Sequence, residues 1–389
     1  MTFDVVKVSI NFNFAGASEM EKNPVYKVAH LSSAHKDRDV RIFHKECSSL
    51  AIEETLDVHL ILADVEERVE NEVTIHSVQG ADGSRMKRMW STVNNVYKKA
   101  IALDADVYHL HDPELLRIAL KLKRKGKKVI YDAHEDLPRQ ILGKDYLKFK
   151  KTISRVVERY ENRVVRKLDA VITATPFIRD RFKLIHPNTI DINNYPMLKE
   201  VSTEKVTAEK ENKVCFIGGI TRIRGIGELV DALEEVDVTC AIAGSFPEDF
   251  KSTLTNKEGW KKVQELGFIN RDESLKLKAE SIAGIVTFLP YPNHINAQPN
   301  KIFEYMASGL PVIGSHFNLW KAIIEDNKCG ICVDPENPTE IANAIRYIQE
   351  NPEKAIEMGE RGRKQVLEVY NWNVEEGKLR TLYESVIAE

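Results

Sequence analysis

Short β-branched runs alternate with helical stretches along almost the whole chain, and this alternation carries most of what the sequence says about its fold. In the first half the apolar runs are VYKVAHL (25–31), DVHLILA (57–63), VTIHSV (73–78), VYHLHD (107–112), KVIYDAH (128–134) and AVITAT (170–175), closed by IDINNYP ending at Pro196. The second half offers KVCFIGG (213–219), VTCAIAG (238–244), GIVTFLP (284–290), PVIGS (311–315) and GICVDP (330–335). Continuous apolar strands separated by helices predict parallel sheets covered on both faces. Residues 197–212 are charged and lack apolar periodicity, so they read as a linker. The expected architecture is α/β: two doubly wound, Rossmann-like domains facing across a cleft, 1–197 and 213–370, joined by 198–212. Residues 1–24 alternate weakly (VKVSINFNF) and suggest an added edge strand.

Composition narrows this little. The 389 residues carry a formal charge of −3, with 43% hydrophobic and 30% charged residues, a balance suited to large buried cores. The start, MTFDVVKVSI, lacks the basic region and long apolar core of a signal peptide, and no stretch approaches the roughly 18 apolar residues of a membrane span. Five cysteines without framework spacing point to a reducing cytoplasm. Cys329 and Cys332 form a CxxC, but a zinc site needs a second ligand pair at similar spacing and the sequence offers none, so both read as core residues.

In doubly wound sheets, ligands bind beyond the carboxyl ends of the strands, so the turns there hold the candidate chemistry. IGGITRIRGIGELVDAL runs from a strand through Gly218 and Gly219 into a helix and carries Arg222 and Arg224. Such a turn lets backbone amides approach a phosphate, although glycine turns are common in α/β proteins. IAGSFPED makes a similar turn at Gly244. A third, YPNHINAQPN, is a polar loop leading into a helix that bears Lys301 and Glu304 and closes at Gly309. In the first half, HLHDPELL and YDAHEDLP place His111, Asp112, His134, Glu135 and Asp136 at strand ends. Asp112 before Pro113 is equally suited to capping a helix.

FEYMASGLPVIGS, together with these strand ends, resembles the family 4 retaining glycosyltransferases of the GT-B fold, and the resemblance runs over nearly all of the chain, with the opening AHLSSAHKDRDVRIFHKECSSLA similar to bacterial members that build surface polysaccharides. The resemblance implies that the second domain binds a nucleotide-sugar co-substrate, through Gly218, Gly219, Arg222, Arg224, Gly244, Asn296, Asn300, Lys301 and Glu304. It makes Glu304 the residue that holds the ribose. Eight residues earlier the family has a second glutamate, where this chain has Asn296, which can bond a hydroxyl but brings no charge. The family's phosphate-binding arginine and lysine fall on Gly219 and Arg224, leaving Arg222 and Lys301 to supply the missing cation. His134 takes the place of a histidine that meets the transferred sugar. With His134, Arg224, Lys301 and Glu304 as the catalytic set, the resemblance implies sugar transfer with retention, without metal or cofactor. The acceptor is a glycan or lipid-linked molecule, held by the first domain. NWNVEEGKLRTLYESVIAE (371–389) resembles the family's last helix, which crosses back onto that domain.

Two pairs, Asp104/Asp106 and Asp37/Asp39, resemble metal-binding DxD motifs but do not follow strands. Residues 115–167 hold 17 Lys/Arg against six Asp/Glu, and KFKKTISRVVERYENRVVRKL has apolar residues at 149, 153, 156, 160, 164 and 168. This is an amphipathic helix, either core-packed with a solvated basic face or resting on an anionic membrane surface at the inner face of the membrane. Nucleic acid is not expected, because no aromatic residues interleave with the basic run. A nucleotide-sugar 2-epimerase of the same fold and a non-catalytic nucleotide-sugar-binding protein are the alternatives; a dinucleotide dehydrogenase fits worst, with no G-x-G-x-x-G after the first strand.

Overall fold

The computed structural model describes residues 24–81, 87–144, 147–201 and 209–388. The edge strand expected before residue 25 and part of the linker lie outside the described residues. Among those described, the first sheet contains β1 (Tyr26–Leu31), β2 (Leu56–Ala63), β3 (Arg68–Glu70), β4 (Val73–Val78), β5 (Val107–Leu110), β6 (Lys128–Ala133), β7 (Ala170–Thr173) and β8 (Thr189–Asp191). Their order is β3-β4-β2-β1-β5-β6-β7-β8, parallel apart from the antiparallel β3. The second sheet contains β9 (Lys213–Ile217), β10 (Thr239–Ala243), β11 (Val263–Gly267), β12 (Ala283–Val286), β13 (Val312–Ser315) and β14 (Gly330–Val333). Its order is β11-β10-β9-β12-β13-β14, all parallel. The fold is therefore the expected pair of doubly wound domains. The apolar runs found two fewer strands. Both β3 and β11 are edge strands with largely solvated side chains (RVE and VQELG), so no continuous apolar run marks them.

Each sheet reverses direction once, between β1 and β5 in the first and between β9 and β12 in the second. At such a switch point the loops leave the sheet in opposite directions and open a crevice at the carboxyl ends. The first crevice lies between Ser32 and His111–Asp112, and the second between Gly218 and Thr287.

The first sheet is completed from far along the chain. The helix Trp372–Ala388 buries Trp372, Leu379, Leu382, Tyr383 and Val386 against Ile42, Phe43, Leu50 and the β2 residues Val58 and Leu60. Trp372 Nε1 donates to Ser49 Oγ at 2.8 Å, Asn193 N donates to Glu375 Oε2 at 2.7 Å, and Arg380 pairs with Glu53.

The helix Lys150–Val165 divides in two. Val164, Val165 and Leu168 enter the core, and Glu161 is held by Arg181 (2.7 Å). The earlier apolar positions stay outside the core: Phe149 is 80% exposed, Ile153 37%, Val156 58% and Tyr160 45%. Core packing therefore explains only the last turns of this stripe.

Truncating the crossing helix where it packs should injure the first domain alone. Leu379→Ala removes a fully buried side chain and should cost about 2–4 kcal/mol. In urea unfolding read by domain-specific probes, the first-domain transition should move to lower denaturant while the second stays in place.

Candidate active site

At the second crevice, β9 runs into a turn that a side chain would block. Gly218 has φ +130° and Gly244 has φ +146°, and a Cβ on Gly244 would collide with the Gly218 carbonyl. The backbone ladder continues past the strand ends, with Gly218 N donating to Ala243 O (2.8 Å) and Gly244 N to Gly267 O (2.7 Å). Two cations converge on this turn. A Cβ on Gly218 would meet the Lys301 ammonium, and one on Gly219 would lie 3.2 Å from Arg224 Nη1. Arg224 Nη1 donates to Gly219 O at 3.0 Å, and its guanidinium lies 5.2 Å from the Phe288 ring centroid. Lys301 lies 5.7 Å from the Phe216 ring centroid. Burial and the nearby Arg224 push Lys301 down to about 8, with Glu304 opposing; burial alone lowers Arg224. Among the described residues no carboxylate forms an ion pair with either.

The remaining sequence candidates spread around this pair. Arg222 and Asn300 are exposed, and half-buried Asn296 ends the short helix Pro292–Ile295. Glu304, one turn beyond Lys301 in the helix Asn300–Ala307, is exposed and outside ion-pair distance of Lys301. It lines a groove of about 810 Å³ beside Arg271, Ser274 and Lys278 of the helix Arg271–Glu280. Burial lowers the Lys278 ammonium and the charge of Glu304 opposes this. The structure thus brings Gly218, Gly219, Gly244, Arg224 and Lys301 together, and places Glu304 at a neighbouring groove.

The first crevice is built of histidines and carboxylates. Asp112 does not cap the turn that follows it: its carboxylate accepts from Ser32 Oγ (2.8 Å) and Ser33 N (2.6 Å), and lies 3.0 Å from His35 Nδ1. Despite burial, these partners hold Asp112 at about 2. His35 is raised: burial opposes its charge, but Asp112 outweighs it. His134, half-buried, places Nε2 at 2.7 Å from Asp132 Oδ2. Asp132, at the end of β6, is fully buried and takes Arg41 Nε (3.0 Å) and Nη2 (2.8 Å) on its two oxygens. Asp136 reaches Arg139 and Arg181, and Glu135 bonds Gln140. The helix Pro292–Ile295 of the second domain packs against Leu137–Leu142, which follows His134. Arg41 and Glu46, on the helix Val40–Cys47, were missed in the sequence, and Asp132 was visible only as the first residue of the polar cluster DAHED at the end of an apolar strand.

Neither DxD pair lies at a carboxyl strand end. Asp104 pairs with Lys127 (2.8 Å) and Asp106 accepts Lys27 N (2.8 Å) at the amino end of β5. Asp39 accepts Arg41 N and Ile42 N, and Asp37 pairs with Arg68. Cys329 is buried, and burial pushes its thiol up to about 12.

The raised His35 supplies a pH signature. Its pairing with Asp112 stabilises the fold fully below the ordinary imidazole value of 6.5 and loses this as pH rises through the elevated folded value. Comparing urea midpoints of the first domain, wild type should gain on His35→Gln as pH falls from about 8.5 to 5.5. A gap that does not change with pH would remove the charged pair from the account.

Two family models match: "Glycosyltransferase Family 4" over residues 49–192 and "Glycosyl transferases group 1" over 199–365. Among curated proteins, a D-rhamnosyltransferase of Pseudomonas aeruginosa is 22% identical over 67% of this chain and 68% of its own. An uncharacterized glycosyltransferase of Methanocaldococcus jannaschii is 30% identical over 42% of this chain and 43% of its own. Among solved structures, sucrose-phosphate synthase from Thermosynechococcus elongatus superposes with a TM-score of 0.75 at 17% identity, covering 93% of this chain and 99% of that one. Anabaena HepE, solved in complex with UDP, gives 0.72 at 15% identity, covering 92% of this chain and all of that one. The two family matches adjoin almost end to end, one on each doubly wound domain, and the chain belongs to the family 4 type of glycosyltransferases with the GT-B fold.

Proposed function

We propose that this glycosyltransferase moves a sugar from a UDP-sugar to a glycan or lipid-linked acceptor, with retention of configuration and without metal, in polysaccharide synthesis at the cytoplasmic face of a membrane. The observation that carries the donor half is the Arg224–Lys301 pair. Two partly desolvated cations held at one glycine turn, with no ion-paired carboxylate among the described residues, repel each other; an anion of high charge density relieves this cost. A nucleoside diphosphate meets that description, and a relative of the same fold was solved with UDP-glucose. As the glycosidic bond breaks, negative charge builds on the departing diphosphate, where Arg224, Lys301 and the turn amides stabilise it; the diphosphate then takes the acceptor proton. Glu304 holds the ribose hydroxyls one turn away, and His134 faces the sugar from the first domain.

The exposed stripe Phe149, Ile153, Val156 and Tyr160, among Lys148, Lys151, Arg155 and Arg159, supports the membrane half. Apolar side chains flanked by basic ones suit a helix lying in the interface of an anionic bilayer.

Lys301→Ala and Arg224→Ala should each lower kcat/KM, by roughly 10²-fold for the more important of the two. Calorimetric UDP affinity should weaken between pH 7 and pH 9 as Lys301 deprotonates near 8, and this dependence should flatten in Lys301→Arg. Near-wild-type rates in both alanine variants would move the phosphate site elsewhere.

Sugar transfer should persist in EDTA. Turnover abolished by the chelator and restored by magnesium or manganese would overturn the metal-free reading.

Replacing Lys148, Lys151 and Arg155 together with Gln should weaken cosedimentation with phosphatidylserine vesicles by roughly 100-fold, at about 1 kcal/mol per basic residue. Activity on a soluble short-chain acceptor should be unaffected. Equal sedimentation of variant and wild type would separate this helix from membrane binding.

A further inference from the structure

Behind His134 a chain of hydrogen bonds runs through the first domain to the crossing helix. Asp132 Oδ2 lies 2.7 Å from His134 Nε2 and 3.3 Å from His111 Nδ1. His111 Nε2 lies 2.9 Å from His30 Nδ1, His30 Nε2 lies 3.2 Å from the Tyr383 hydroxyl, and that hydroxyl lies 2.8 Å from His109 Nδ1. All these groups are buried apart from His134, which is half-buried.

The direction of every bond follows from one of them. Asp132, with a guanidinium nitrogen on each oxygen, is a carboxylate and can only accept. Both His134 Nε2 and His111 Nδ1 must then donate to it, which makes their mutual 3.4 Å separation a meeting of two donors rather than a bond. His111 Nε2 is left with a lone pair, so His30 donates from Nδ1 and accepts at Nε2 from the Tyr383 hydroxyl. The hydroxyl oxygen in turn accepts from His109 Nδ1. His109 Nε2, last in the chain, carries a lone pair, has no hydrogen-bond partner and lies 3.9 Å from Glu46 Oε2.

Glu46 fits this ending as a carboxylic acid. Arg41 Nε lies 3.1 Å from Glu46 Oε1, but its single hydrogen is directed to Asp132, so neither Glu46 oxygen has a donor. Burial and the charge of Asp132 raise the Glu46 carboxyl well above the carboxylate range, and burial keeps His30 and His109 neutral and His111 at about 4. A buried pair of one cation and one anion then leaves no net charge. The donor atoms of His30, Glu46, His109 and His111 lie within 4.8 Å of one another, as in a metal site. With this polarity, however, His30 and His111 have both nitrogens engaged, and Arg41 already supplies the positive charge.

We infer that Asp132 is the positioning residue for His134 and sets one hydrogen-bond polarity through His111, His30, Tyr383 and His109, so that the neutral tautomer of His134 is the one with its lone pair on Nδ1. To that tautomer a ligand must present a hydrogen-bond donor, a sugar hydroxyl in the proposed reaction. This last step rests on the sugar-transfer reading; the polarity does not.

The test is long-range ¹H–¹⁵N correlation spectroscopy of the full chain labelled at histidine. At neutral pH His111, His30 and His109 should carry their protons on Nδ1, and the neutral form of His134 should carry its proton on Nε2. A His134 protonated on Nδ1, or a His111 protonated on Nε2, overturns the inference whatever the enzyme transfers. In Tyr383→Phe the His109 signals should shift, while His134 and His111 keep their tautomers; a change of tautomer at His134 would mean that polarity is set from the helix end. Asp132→Asn should mix the His134 tautomers and lower kcat at least 10-fold, with donor KM changed less than 3-fold. Fixed tautomers in a folded Asp132→Asn variant would count against the inference.

Discussion

In a parallel sheet every strand delivers its carboxyl end to the same edge, and this constraint organises both halves of the molecule. Functional groups need only appear one or two residues beyond the apolar run to be gathered in one place. In the second domain that edge gathers Gly218, Gly244 and Thr287, and in the first Ser32, His111 and His134. The two edges use opposite electrostatics. The second gathers Arg224 and Lys301 on a glycine backbone, with no ion-paired carboxylate among the described residues. The first pairs its ions internally, Arg41 against Asp132 and His35 against Asp112. In the proposed reaction the anionic leaving group would meet the second edge and the hydroxyl-bearing sugar the first.

Architecture was legible because both sheets are buried on two faces, which turns each interior strand into an unbroken apolar run. The strands β3 and β11 escaped because an edge with solvated side chains has no such run. The glycine turn with Arg224 could be read locally, since everything it uses lies within a few residues. Lys301 could be placed only through resemblance, because its approach to Gly218 joins segments more than 80 residues apart. The Arg41–Asp132 pair spans 91 residues and Tyr383–His30 spans 353, distances at which spacing carries no information. Asp112 shows an alternative that local sequence left open. Its place before a proline suits a cap, yet Ser32, Ser33 and His35 on a neighbouring strand end compete successfully for its oxygens.

The basic helix shows how a correct pattern can still leave its meaning open. Apolar positions spaced for one face say that a helix has a preferred side, not what covers it. Here one helix changes its environment along its length: Val164 and Val165 belong to the core, and Phe149 to Tyr160 face outward.

The crossing helix has a consequence for how the chain is made. Synthesis proceeds from the amino end, so all eight strands of the first sheet leave the ribosome long before Trp372–Ala388 exists. Until then the face formed by Ile42, Phe43, Leu50, Val58 and Leu60 has no cover, while the second domain acquires everything its own core requires. The domain that is translated first is thus the one completed last, and the nascent chain carries exposed apolar surface until its last helix emerges, a natural target for chaperones that bind such surface.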